Sequence, residues 1–563
     1  MYADIHCYPG KVAYNSSVMA LSGLDKMPMD PWQIPQSNLE NQVRSKLAKD
    51  YSQCDLVKST QARVKLMFAS LYPIEKGFFI GNRGGSICKD MISDYFRRIR
   101  SEGDASAMDW LMHLLRKQPG MENVKRSELT FLQNQFVRLP LERIQFLQNG
   151  HYDYFEELKR EYKFYRSKAG EKVTTTHKLQ LVPHGPHRKW EGVYQLAQNG
   201  GDVLYRLRPD NDDVVIVLTL EGIHSLGVGN PEDEFLRPGD TPKDVSVGKI
   251  KSRIRQLKGE ESLDDLTLKR WDHCPFYITF ASHFNNTLCG HAHSLPSMSR
   301  FIYDQRKNMD RGFLKNATYS VMRELLSLDD GLENNGSRRI LIDVKNMSAA
   351  SRQDFYKNII RPFNRKAENA ISKIPIIASQ VGYSGVDELE TLIQNAKAGK
   401  EEDDFQVQGG FKAWNINLCD EDVIEIHDSE GLIGISLDQQ LLGFYQKYWL
   451  LNLPLLSTER KRARTLLART LEQFIHIPFD YNLKEPMRIW DILCIGTGFD
   501  GANNPLTGYS TVLDMNRLED DLIQILHRMR RERPRWFGNQ SPENLARKIC
   551  FENAYDFVVK HYR

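Results

Sequence analysis

The chain has 563 residues, with 76 Lys and Arg set against 73 Asp and Glu for a formal net charge of +3. So close a balance gives no global electrostatic case for nucleic acid or an anionic membrane as partner. The length exceeds the roughly 250 residues of a plain eight-stranded α/β barrel and points to one barrel plus a substantial insertion.

The eight cysteines are scattered and form no Cys-x-x-Cys pair, so neither a zinc knuckle nor a compact disulfide framework is expected. Met1 runs straight into a strand-like segment, without a basic stretch and an apolar core behind it, and no apolar run approaches the roughly 20 residues that span a bilayer. A cytoplasmic protein with reduced thiols and no membrane partner is the expectation.

In chain order, the first element is a strand over residues 3–8, Ala-Asp-Ile-His-Cys-Tyr. From about residue 38 to 165 the spacing turns helical, as at Val64, Met67, Phe68 and Leu71 and again at Leu129, Phe131, Leu132 and Phe136. Strands then alternate with helices: 214–221, 276–283, 339–346, 374–380, 413–418, 432–437 and 493–497, with helical stretches such as 349–370 and 517–531 between them. With the opening strand these make eight, the number a closed parallel barrel requires. The expected fold is therefore a TIM-type (β/α)8 barrel built from residues 1–12 and 185–563. Residues 13–184 form a mainly helical insertion that caps the mouth or makes an oligomer interface.

Each strand has a β-rich body and a polar tip, and the C-terminal tips are where a barrel keeps its chemistry. On the first strand, residues two apart point to one side, so His6 and Tyr8 arrive together. His6 is a good metal ligand, or else a hydrogen-bonding residue inside the barrel. Tyr8, with an ordinary phenol pKa near 10, is a poor ligand. Glu221 ends the next β-rich run with Gly222 behind it; it can bridge metals or pair with a nearby Lys or Arg.

Taken together, several tips resemble the renal (membrane) dipeptidase family of metal-dependent hydrolases. They are Glu221-Gly-Ile-His-Ser-Leu, Ile278-Thr-Phe-Ala-Ser-His-Phe-Asn-Asn, Ile342-Asp-Val-Lys-Asn-Met-Ser and Gly496-Thr-Gly-Phe-Asp-Gly, in that order, followed by the closing Ile549-Cys-Phe-Glu-Asn-Ala. The resemblance implies that His6 and Glu221 are metal ligands and that His283 binds the substrate or polarises its carbonyl. Asp500 is implied to be a ligand or proton-transfer group. The departures are as informative: Tyr8, Asn346 and Gln380 stand where the family has metal ligands, and Gly498 stands where it has an aspartate that contacts the substrate amine. Neutral amide oxygens are weak toward zinc, so two of five expected ligands remain.

The expected function is thus hydrolysis of a small amide or dipeptide-like substrate by a metal-activated water. His6 and Glu221 hold zinc or another divalent ion, one ion or none; Asp500 and His283 act in catalysis; and His283, His224, Asn346 and Gln380 contact the substrate. The alternative is a catalytically inactive dipeptidase-like barrel that serves as a binding or assembly module.

Other clusters carry less. His291-Ala-His293 has the spacing of a metal pair but lies in a Cys-Gly loop, where packing explains it as well, and His184 and His187 sit in a Pro/Gly turn. Residues 503–509 form a candidate lid, and 400–404 an acidic surface run. The arginine-rich stretch 527–535 is a candidate for phosphate or an acidic partner, or a solvated helix end. Residues 81–85 resemble a phosphate loop but lack its Lys-Ser/Thr ending.

Overall fold

The computed structural model describes residues 1–17, 30–32, 52–79, 151–178, 187–208, 211–231, 242–295, 305–367, 372–399, 410–443 and 459–563, with the isolated positions 109, 113, 143, 146, 147, 233, 407 and 408. The apolar positions from Leu129 to Phe136, the loop 81–85, the turn residues 183–186 and the acidic run 400–404 lie outside the described residues.

Eight parallel strands form the body of the molecule: β1 (Tyr2–Cys7), β2 (Val64–Leu71), β3 (Val214–Glu221), β4 (Tyr277–Thr279), β5 (Leu341–Asp343), β6 (Ile377–Val381), β7 (Leu432–Ile435) and β8 (Leu493–Ile495). Their order in space is their order in sequence. The ring closes beyond the regular ladders, where the Gly498 amide donates to the His6 carbonyl at 2.8 Å and the Tyr8 amide to the Phe499 carbonyl at 3.0 Å. The buried Asp4 carboxylate ties the same seam by accepting from the Thr497 amide and hydroxyl at 3.0 and 2.6 Å. This is a TIM-type barrel.

Burial explains the strand sequences. All eight residues of β3, Val-Val-Ile-Val-Leu-Thr-Leu-Glu, are buried, as expected of a parallel strand covered on both faces. Alternate residues divide between two cores. Leu66, Phe68, Val215, Val217 and Tyr277 face inward with Phe557 of the C-terminal helix and Tyr562 just past its end, while Met67, Leu71, Ile216 and Leu218 pack outward against the helical layer.

Two sequence expectations are corrected. Val64, Met67, Phe68 and Leu71 lie on β2, whose eight residues are all buried and which pairs with β1 on one side and β3 on the other. The segment 13–184, expected to be an insertion, therefore contains a barrel strand. Residues 413–418, expected to be a strand, run as a loop after the two-residue ladder of Phe411–Lys412 with Val407–Gln408. The alternating Trp414, Ile416 and Leu418 mimic a strand, but Asn417 uses its side chain to satisfy backbone at Gly382, Lys412 and Leu441.

The helix Tyr154–Arg166 starts where Asp153 caps the Phe155 and Glu156 amides. It packs beside the C-terminal ends of β1 and β2, where Glu161 accepts from the Tyr72 amide at 2.7 Å and Tyr165 from the Gly10 amide at 2.8 Å. Among the described residues no helix is long and apolar enough to cross a membrane.

Candidate functional site

The strand tips converge on a buried polar network at the C-terminal mouth. Asp343, at the end of β5, accepts from Thr279 (2.6 Å) and Ser379 (2.5 Å) hydroxyls and from the Ser379 amide at 2.9 Å. The Ser379 proton is committed to Asp343, so its oxygen accepts from His6 Nδ1 at 2.9 Å. That tautomer leaves His6 Nε2 as a lone-pair acceptor for the Tyr8 hydroxyl at 3.0 Å. Burial, reinforced by the Lys345 ammonium, lowers the His6 pKa and outweighs the opposing pull of Glu221.

Glu221 sits opposite. Gly222, which follows it at φ 83°, turns the chain away from the strand; a Cβ there would lie 2.1 Å from His224 Nδ1. Glu221 Oε1 receives Lys345 Nζ at 2.8 Å and faces Asn346 Nδ2 at 3.4 Å, while Oε2 lies 3.3 Å from His6 Nε2. Burial works against its charge, yet the Lys345 ammonium more than offsets this and holds its pKa well below the ordinary carboxylate range. Lys345 itself is 6% exposed and Glu221 1%. The pair is therefore a buried one, in which a protein ammonium neutralises the carboxylate from the barrel interior.

The remaining predicted residues are placed as follows. Asn346 joins the network, in a left-handed backbone conformation at φ 63°. Gln380 points toward Ser436 and the Thr497 carbonyl, at 3.5 Å from each. It also fills the space beside Gly498, where a Cβ would meet Gln380 Nε2 at 2.1 Å, so these two departures from the dipeptidase pattern fit one another. His283 bonds Ser294 through Nδ1 at 2.9 Å, and burial together with Lys345 pushes its pKa down to about 3. His224 turns away to the Pro73 carbonyl at 2.8 Å.

Asp500, expected to act in catalysis, directs its carboxylate to the segment Ser52–Cys54. Its carboxylate accepts from the Ser52 hydroxyl at 2.8 Å and from the Gln53 and Cys54 amides at 2.8 and 3.0 Å, anchoring the loop before β2. The imidazoles of His291 and His293 do not converge: His291 Nε2 bonds the Gln305 carbonyl, and His293 stacks on Trp414.

Sequence reasoning missed Lys345, Asp343, Ser379 and Lys11. Lys11 Nζ lies 4.9 and 4.7 Å from the Tyr8 and Tyr72 ring centroids, and burial lowers its pKa to about 8.

The donor set does not fit a divalent metal. Among the described residues, no group of three or more His, Cys, Asp and Glu side chains could hold one. Tyr8 is buried with its pKa raised well above 10, first by that burial and then by Glu221, so it stays a neutral phenol. Lys345 brings a positive charge to the carboxylate a metal would need.

No family model and no curated protein matches the chain. Fifteen solved chains are similar to it, among them the following three. The dipeptidase AC, a metallopeptidase, has 11% identity and a TM-score of 0.45, with 100% of this chain and 98% of that one covered. A metallopeptidase from Rhodobacter sphaeroides, liganded with a phosphinate mimic of L-Ala-D-Ala, has 12% identity and a TM-score of 0.43, with 100% and 99% covered. The probable dipeptidase PvdM from Pseudomonas aeruginosa has 13% identity and a TM-score of 0.39, with 91% and 88% covered. At such TM-scores the fold rests on the strand order itself.

Proposed function

We propose that this barrel is a dipeptidase-like binding or assembly module in which an internal ammonium takes the role of a metal cation. One observation carries the reading: Lys345 Nζ sits 2.8 Å from Glu221 Oε1 with both groups buried. A carboxylate already neutralised by a fixed cation gains little from a divalent ion and would have to displace the lysine first. The ligand that suits such a mouth is a small peptide-like or amide molecule carrying a carboxylate, drawn by Lys11.

A second reading, hydrolysis by a metal-activated water, has one feature in its favour. Glu221 Oε2 has no hydrogen-bond partner and faces His6 Nε2 at 3.3 Å, as two ligands of one ion would.

Plasma mass spectrometry of the purified chain, before and after zinc and manganese supplementation, separates the two. The module reading expects a metal content near zero, rising when Tyr8→Asp, Asn346→His, Gln380→His and Lys345→Ala are combined. One or two equivalents in the natural protein, with dipeptide turnover abolished by Glu221→Gln, would overturn it in favour of the hydrolase.

A further inference from the structure

Away from the barrel mouth, the helices Glu459–Asp480 and Met515–Glu532 lie side by side and border two adjoining, solvent-open hollows of about 580 and about 650 Å³, the second lying mostly along Met515–Glu532. Both are lined by Arg464, Gln524 and Arg528, so they form one continuous cleft. Gln524, Arg528 and Arg531 recur at helical spacing and share a face. From Asp521 to Arg531 that face runs about 15 Å along the helix.

The cleft is strongly cationic in a chain whose net charge is only +3. Arg460, Lys461, Arg464, Arg528, Arg530 and Arg531 line it, against the single carboxylate of Asp521. Asp521 is buried and engaged by Arg460 at 3.1 Å, by Arg464 at 3.6 Å and by the Tyr509 hydroxyl at 2.6 Å, so its charge is taken up at that end of the cleft, away from Arg530 and Arg531. Glu519, on the same helix, is turned to the Tyr2 hydroxyl at 2.7 Å. His527 pairs with Glu543 at 2.7 Å, but among the described residues no carboxylate pairs with Arg528, Arg530 or Arg531.

Holding several guanidinium groups together costs repulsion that a multivalent anion relieves, and arginine forks match phosphate oxygens two at a time. No Phe, Tyr or Trp lines the cleft among the described residues, and its one imidazole, His527, is paired with Glu543, so the lining favours phosphate over a stacked base. We propose that this cleft binds a chain of adjacent phosphates, either a free oligophosphate or the phosphate tail of a nucleotide.

Titration calorimetry on the full chain, with sodium tripolyphosphate, orthophosphate, ATP and a single-stranded oligoribonucleotide as probes, tests it. Tripolyphosphate is expected to bind at least about tenfold more tightly than orthophosphate and to weaken steeply between 50 and 200 mM salt. Arg528→Gln with Arg531→Gln, both exposed positions, should weaken it at least about tenfold, whereas Arg535→Gln, outside the cleft, should leave it unchanged. Equal binding of ATP and tripolyphosphate identifies the phosphate chain alone as the ligand; tighter binding of ATP identifies a nucleotide. Failure of tripolyphosphate to bind, equal binding of orthophosphate, insensitivity to the double variant or tighter binding of the RNA would each overturn the proposal.

Discussion

Replacing Lys345 with methionine removes the ammonium from Glu221 while roughly keeping the side-chain length. At the observed 2.8 Å the gross attraction is about 6 kcal/mol for an effective dielectric of 20, before desolvation is set against it. Breaking a buried pair by deleting one partner costs about 3–5 kcal/mol, because the surviving charge is left uncompensated.

The pH dependence follows from the direction of the shift. In the natural protein Glu221 titrates below its unfolded value, so its stabilising contribution is present above roughly pH 4.5 and is lost only as pH falls through the lower folded pKa. Without Lys345, burial dominates and raises the Glu221 pKa. The folded state then holds a proton that the unfolded state has lost, and stability falls as pH rises from about 4.5 toward the raised value. The gap between natural protein and variant should therefore widen toward pH 8, by about 1.4 kcal/mol for each unit by which the pKa climbs.

Urea denaturation at pH 5 and pH 8 measures this gap, and the double variant Glu221→Gln, Lys345→Met should recover most of the loss. Proton uptake by His6, 3.3 Å from Glu221, is the one response that would blunt it, and it would show as a raised His6 pKa by NMR. A loss under about 1 kcal/mol at both pH values, with no change at His6, would refute the view that Lys345 is the cation of this site.

Further expectations are as direct. Gly498→Ala places a Cβ 2.1 Å from Gln380 Nε2 at φ 66° and should cost about 1–3 kcal/mol in a denaturant titration, with partial recovery on adding Gln380→Ala. Asp500→Asn weakens the hold on the Ser52 to Cys54 segment, and hydrogen exchange should rise there with ligand binding at the mouth unaltered; altered binding with normal exchange would contradict the anchoring role. Lys11, with its pKa near 8, should titrate well below ordinary lysines when followed by carbon-13 NMR after reductive methylation. Its deprotonation also means that stability rises with pH between about 8 and 10.5, since the unfolded chain still binds that proton there.

Much of the barrel was legible because strands buried on both faces read as unbroken apolar runs, and β3 is the clearest case. β2 was misread for a definite reason: Val64, Met67, Phe68 and Leu71 satisfy the i, i+3, i+4, i+7 template although the eight-residue run is a strand, and short apolar runs fit both periods. The site was legible as a set of tips but not as a circuit. Glu221 and Lys345 are 124 residues apart and Asp500 and Gln53 are 447 apart, distances over which no local pattern says which carboxylate meets an ammonium and which meets backbone amides. Lys345 also looked like any solvated lysine past a strand end, and only the closed ring turns it inward.

That ring has its seam between β1 and the end of β8, where Asp4 meets Thr497 across 493 residues of chain. At about 5–20 residues per second, a ribosome needs roughly 25–100 s to make the second half of that contact after the first. For that interval β1 has one unpaired edge, with the apolar Ile5 and Cys7 along it, in a chain long enough to aggregate before it closes. Recovery of soluble protein should accordingly depend more on how that edge is sheltered during synthesis than on the stability of the finished barrel.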